Sequence, residues 1–138
     1  MTELTCSLEQ LQDVCQAIVD LLPEGGVVIL RGDLAAGKTT LTQAFAKHLG
    51  LSEAVTSPTF SLQQCYGDRL FHYDIYNQGM DHFLSLGMLE ELEREGYHLV
   101  EWGDESLARL LKTAGIPMIT VVIDKADKNR RTYRIEDA

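Results

Sequence analysis

The chain has 138 residues, an ordinary globular composition and a formal net charge of −9. That length supports a single domain, 1–138, with a real core, and the acidic balance disfavours autonomous binding to RNA or DNA, which needs a cationic surface. No apolar run is long enough to span a membrane and Met1-Thr2-Glu3-Leu4-Thr5 shows no basic-then-apolar leader, so the expectation is a cytoplasmic protein without membrane contact.

Cys6, Cys15 and Cys65 form an odd set with no C-x-x-C spacing. They read as reduced, buried, small apolar residues rather than a disulfide frame or metal site. In chain order, Ser7-Leu8-Glu9-Gln10 has the form of a capping box with Ser7 as N-cap. Leu8, Leu11, Val14, Cys15, Ile18, Leu21 and Leu22 then fall on one helical face, which Pro23-Glu24-Gly25-Gly26 ends. A strand is expected from Val27 to Arg31. A helix with Leu41, Ala44, Phe45 and Leu49 on its apolar side follows, and Gly50 closes it as a C′ residue. Ser57 before Pro58 is extended, in a loop leading to two strands, Phe60–Tyr66 and Leu70–Ile75, around the hairpin turn Gly67-Asp68-Arg69. A helical region capped by Asp81 and interrupted at Gly87 is expected to end near Gly96. Tyr97–Trp102 reads as a buried strand. A helix capped by Asp104 buries Leu107, Leu110 and Leu111 and is stopped by Gly115 and Pro117; strands Met118–Ile123 and Arg131–Ile135 flank a turn at 127–130. This order predicts an α/β fold, a P-loop NTPase-like three-layer domain with a mixed, partly parallel central sheet.

The stretch that organises the chain is Gly32-Asp33-Leu34-Ala35-Ala36-Gly37-Lys38-Thr39-Thr40, which fits G-x-x-x-x-G-K-[ST] between a strand and a helix. Gly32 and Gly37 let the backbone turn tightly and approach phosphate oxygens, so that successive amides point at an anion. The helix opening behind them adds its positive end. Lys38 supplies a mobile charge for the outer phosphates and the Thr39 hydroxyl suits Mg²⁺. An ordinary glycine-rich strand-to-helix turn is the plainer alternative.

Hydrolysis also needs acids beside the loop. Glu101 ends an apolar strand, the edge where ligands gather in open α/β sheets, and is the candidate for Mg²⁺ coordination. The alternative is a carboxylate that caps the next turn. Asp74 holds a similar position on the hairpin strand and is a candidate for orienting water or reaching the metal shell; a solvent-facing edge acid is its alternative. His72 and Tyr76 share a face with Asp74 and read as packing residues before catalysts. Thr56, Ser57 and Thr59 stand where nucleotide switches sense a γ-phosphate, or simply form a proline turn. Trp102 reads as core or site wall. Arg130 and Arg131 read as solvated turn charges before nucleotide contacts.

Four blocks in order resemble the TsaE (YjeE) family, small P-loop ATPases of tRNA threonylcarbamoyladenosine biosynthesis. Gly32 to Thr40 matches GDLGAGKTT, Thr56-Ser57-Pro58-Thr59-Phe60 its SPTF loop, His72-Tyr73-Asp74-Ile75-Tyr76 its H-x-D-x-Y block, and Leu99-Val100-Glu101-Trp102 its VEW block. Leu86-Gly87-Met88 is similar to the LGL ahead of the last. The resemblance implies binding of ATP and Mg²⁺, slow hydrolysis by the isolated protein, and work alongside a TsaD-type carbamoyltransferase, which acts on adenosine 37 of tRNA, and its TsaB-type companion. It implies a nucleotide role for Gly32 to Thr40, with Lys38 at the phosphates, a metal role for Thr39 and Glu101, and a catalytic or switch role for Asp74. Three departures stand out: Ala35 occupies a glycine position, Asn77 stands where arginine is usual, and Gly103-Asp104-Glu105 replaces Pro-Glu.

Three rivals carry other predictions. Asp124-Lys125-Ala126-Asp127 is similar to the N-K-x-D guanine motif, but Asp124 replaces its asparagine and Asp74 lacks a following D-x-x-G. A small-metabolite kinase needs an arginine-bearing lid, and between the loop and Glu101 only Arg69 and Arg94 occur. A nucleotide-dependent assembly module without turnover shares most of the same site residues.

Overall fold

The computed structural model describes residues 2–32, 38–51, 63–66, 69–74, 87–101 and 105–137. Their strands form one sheet of seven: β1 (Thr2–Ser7), β2 (Gly25–Arg31), β3 (Gln63–Tyr66), β4 (Leu70–Asp74), β5 (Gly96–Glu101), β6 (Met118–Lys125) and β7 (Arg130–Asp137), in the order β1-β7-β6-β2-β5-β4-β3. The helices are α1 (Leu11–Leu21), α2 (Lys38–His48), α3 (Met88–Glu91) and α4 (Glu105–Ala114), with a 3₁₀ turn at Leu8–Gln10 before α1. The mixed, partly parallel sheet expected from the sequence is present: β4, β5, β2 and β6 run parallel, and antiparallel neighbours close both sides.

β2 lies between two parallel partners and is covered on both faces, which is why Val27-Val28-Ile29-Leu30 is a continuous apolar run rather than an alternating one. Alternation still sorts its side chains. Val28 and Leu30 join a core with Leu99, Ile18 of α1 and Leu41 and Phe45 of α2. Val27 and Ile29 join another with Val100, Phe71 and Leu107 and Leu111 of α4. The helices that follow the neighbouring strands β2 and β5 therefore pack on opposite faces. The carboxyl ends of two strands whose helices diverge in this way are the usual ligand position in open α/β sheets.

Caps confirm several local expectations. α2 ends with Leu51 N–H donating to Ala46 O at 2.8 Å and Gly50 N–H to Lys47 O at 3.0 Å, with Gly50 at φ +81°. This is a Schellman ending with glycine at C′. Gly115, at φ +75°, ends α4 with the same pair of bonds, to Lys112 and from Ile116 to Leu111. Ser7, expected as the N-cap of the first helix, instead leads into the 3₁₀ turn, where half of the capping box forms as Ser7 N–H donates to Gln10 Oε1 at 3.0 Å; the N-cap of α1 itself is Gln10. His48 Nδ1–H reaches Gln12 Oε1 at 2.6 Å and ties α2 to α1.

Other expectations are corrected. The helix expected to run to Gly96 stops at Glu91, and Gly96 opens β5 so close to the backbone of Arg69, just before β4, that a side chain at Gly96 would clash. Its cap at Asp81 lies outside the described residues, as do Phe60 of the first hairpin strand and Ile75 of the second. Leu21 does not join the buried face of α1; it is 39% exposed, and Leu22 beyond the helix is buried instead. β1 is an element the sequence reading lacked. Only Leu4 and Cys6 point inward, and the strand exists because β7, more than a hundred residues away, offers an unpaired edge. Among the described residues no helix is long and apolar enough to cross a membrane. All three cysteines are buried and free, as expected from their spacing.

Candidate functional site

Gly32 leaves the end of β2 at φ +149°, a backbone region that L side chains rarely adopt, so a glycine is required where the loop begins. Asp33, Leu34, Ala35, Ala36 and Gly37 lie outside the described residues. Lys38 and Thr39 form the opening turn of α2, followed by an exposed Thr40. α2 is held against the sheet by Leu41 and Phe45, with the Phe45 ring 5.0 Å from that of Tyr97 on β5.

The acids arrive from the neighbouring strands. Leu30 of β2 pairs in register with Glu101 of β5, and Glu101 with Asp74 of β4. The sheet thus brings the carboxyl ends of three adjacent strands to one edge, beside Gly32. Glu101 is only 6% exposed. Its Oε2 accepts a hydrogen bond from the Nε2–H of His72, itself 8% exposed. His72 pairs in register with Leu99, so its ring reaches Glu101 diagonally along the same sheet face. This contact is not legible in the linear pattern. Period-two alternation relates His72 to Asp74 but not to a residue on another strand. Thr56, Ser57, Thr59, Tyr76 and Trp102 lie outside the described residues.

On the opposite sheet face, Tyr73 O–H donates to Nδ1 of the wholly buried His98 at 2.8 Å, and His98 Nε2–H donates to Arg94 O at 2.8 Å. The Phe71 ring stacks on His98 at 4.7 Å, and the Arg94 guanidinium lies 4.8 Å from the centroid of Phe71. Burial pushes the His98 pKa below its ordinary value. Both ring nitrogens are engaged in structure, so this histidine fastens β4 and β5 to the turn after α3 rather than serving the edge.

A cavity of about 450 Å³ opens beside the first turn of α2, lined by Cys6, Ser7, Glu9, Thr40, Lys128, Asn129, Arg131 and Tyr133. A larger one, about 950 Å³, lies at the amino ends of the strands around Gly25, Gly96 and Tyr97. Size does not decide between them: Gly32 and the ends of the strands that carry Glu101 and Asp74 sit at the carboxyl edge. Arg130 behaves as the turn charge it was read as, pairing with Asp127 at 2.6 Å, whereas Arg131 borders the α2 cavity. The side-chain hydrogen bond from Arg130, with that from the Asn129 N–H, holds the exposed Asp127 carboxyl below its usual range. Asp127 is therefore occupied in shaping its own turn, which removes the acid that a guanine site at Asp124-Lys125-Ala126-Asp127 would use. Among the described residues no three His, Cys, Asp or Glu side chains gather as a ready-made metal cage.

Comparison with known proteins agrees with this architecture. A family model described as threonylcarbamoyl adenosine biosynthesis protein TsaE matches residues 5–133. A Treponema pallidum protein described as tRNA threonylcarbamoyladenosine biosynthesis protein TsaE is 40% identical over 116 residues, covering 80% of this chain and 82% of that protein. A Bacillus subtilis protein of the same description is 35% identical over 122 residues, covering 80% and 77%. The crystal structure of Bacillus subtilis YdiB superposes with a TM-score of 0.64 at 27% identity, covering 99% of this chain and 87% of that one. With the family model spanning nearly the whole sequence and relatives of the same description matching four-fifths of it, the chain belongs to the TsaE family of threonylcarbamoyl adenosine biosynthesis proteins.

Proposed function

We propose that this chain is a magnesium-dependent P-loop ATPase that supports the formation of N6-threonylcarbamoyladenosine at position 37 of tRNA. The observation that carries the reading is the convergence at one sheet edge of Gly32, the start of α2, and a buried Glu101 in register with both Leu30 and Asp74. A phosphate tail needs main-chain amides and a helix start on one side and a held cation on the other. Gly32 to Thr40 take the first role, with Lys38 at the outer phosphates. Thr39 and Glu101 are the residues that would hold Mg²⁺. The donor set fits, since magnesium is usually bound through one or two carboxylates plus substrate phosphates rather than by an all-protein cage. Bound there, the ion supplies neutralisation of phosphate charge. Asp74 serves to orient the attacking water or the outer metal shell. The nucleoside is assigned to the cavity between Thr40 and Arg131, which continues from the helix start.

The net charge of −9 disfavours direct contact with tRNA. The RNA chemistry is therefore assigned to a TsaD-type carbamoyltransferase with a TsaB-type companion, and the ATPase cycle to this chain. ATP turnover measured alone and with those partners tests the reading, with Lys38→Ala and Glu101→Ala as site variants. Both are expected to lose turnover, and Lys38→Ala to lose nucleotide binding as well. Unchanged hydrolysis in folded Lys38→Ala would reject the site. Wild-type nucleotide binding with no turnover in any mixture would leave an assembly module instead.

A further inference from the structure

We propose that His72 is a positioning residue that holds the Glu101 carboxylate in the orientation needed to receive a divalent cation at the carboxyl edge of the sheet. The inference rests on the reading of that edge as a magnesium–nucleotide site. It adds a residue that the sequence weighed as packing.

The geometry is specific. Glu101 is the last residue of β5, and its long side chain has three rotatable bonds, so a strand end alone does not hold its carboxylate in place. His72 lies on β4, opposite Leu99 and one pleat repeat back from Glu101, so both side chains stand on the same face. Nε2–H of the ring donates to Oε2. Both residues are almost wholly buried, so water does not compete for the bond. The ring is itself held from below. Its strand is pinned to β5 by five register pairs from Leu70↔Tyr97 to Asp74↔Glu101, and its neighbours Phe71 and Tyr73 are locked against His98 on the other face. A rigid donor on a rigid strand is the arrangement by which a second residue orients a metal-binding carboxylate. Removing such a partner typically costs ~10–100-fold in metal affinity.

The test compares wild type, His72→Ala and His72→Gln, the last of which returns an N–H donor at the reach of Nε2. Two quantities are read: nucleotide affinity in EDTA with a fluorescent ATP analogue, and Mn²⁺ affinity by electron paramagnetic resonance titration with a non-hydrolysable ATP analogue present. For His72→Ala the expected result is Mn²⁺ binding weakened ~10–100-fold with metal-free nucleotide affinity changed by less than about threefold, and recovery of most of the loss in His72→Gln. A merely structural role would move both affinities together and would not be rescued. Should His72→Ala not fold, His72→Asn, whose amide stops one bond short of the carboxylate, replaces it with the same expectation. Equal Mn²⁺ affinity in wild type and the short variant, while both bind nucleotide, overturns the positioning role alone. Failure of folded wild type to bind nucleotide at all overturns the ATPase reading and this inference with it.

Discussion

Replacing Gly96 by alanine probes the strand that delivers Glu101 to the edge. A Cβ built on Gly96 lies 2.4 Å from the carbonyl oxygen of Arg69 and 2.9 Å from its carbon, and the residue sits at φ +118°. The same oxygen accepts the Tyr97 N–H at 2.8 Å, the bond that starts the β4–β5 ladder. Moving from 2.4 to at least 3.0 Å means prising the two backbones apart at that bond, because neither partner is the free end of a side chain. Conformational strain for a non-glycine residue costs about 1–2 kcal/mol, and losing the ladder bond about 0.5–1.5 kcal/mol. Stiffening of the unfolded chain offsets about 0.4–1 kcal/mol. The expected net loss is about 2 kcal/mol or somewhat more, which lowers the melting temperature by about 5–10 °C in a domain of this size. The control is Gly115→Ala: φ is +75°, but nothing lies within 4 Å of the added methyl, so only the strain applies. Thermal and urea unfolding followed by circular dichroism measure both variants. If Gly96→Ala proves no less stable than Gly115→Ala, the close approach of β4 and β5 is not as described, and the placement of Glu101 next to Asp74 and His72 loses its support.

Two further outcomes follow from buried titratable groups. His98 has a folded-state pKa depressed below its ordinary value of 6.5, with desolvation by burial as the main cause. The unfolded chain therefore binds a proton that the native state resists: the histidine's contribution is intact above 6.5 and is lost as pH falls from there through the depressed folded value. Melting temperature is expected to fall with pH across that window, and less steeply in the double variant Tyr73→Phe, His98→Phe, which removes both partners of the buried bond; identical slopes would show that other groups govern the acid response. Burial pushes the Cys15 thiol up to about 12, and Cys6 and Cys65 are also buried. Native protein at mildly alkaline pH should therefore react negligibly with a thiol reagent, while all three thiols react in guanidinium; rapid native labelling at Cys15 would contradict its placement on the buried face of α1.

Much of this protein is written locally. The buried runs Val27–Leu30 and Tyr97–Val100, the glycine endings at Gly50 and Gly115, and the loop pattern from Gly32 to Thr39 depend on neighbours a few residues apart, because helix caps, turn conformations and one-strand burial are short-range physics. Those features, with the order of strands and helices, were enough to predict a mixed α/β sheet and to name Glu101 and Asp74 as strand-end acids. What the linear pattern does not contain is which strand lies beside which. β1 exists only because β7 has an open edge, and Gly96 begins a strand rather than ending a helix because Arg69 backs against it. His72 meets Glu101 only because β4 pairs with β5 in one register; a slip by a single residue would turn the ring to the other face. Pairing of this kind is decided by apolar faces closing over distances of tens of residues, and so the chemistry of the edge was legible by type of residue, while its geometry belongs to the folded sheet.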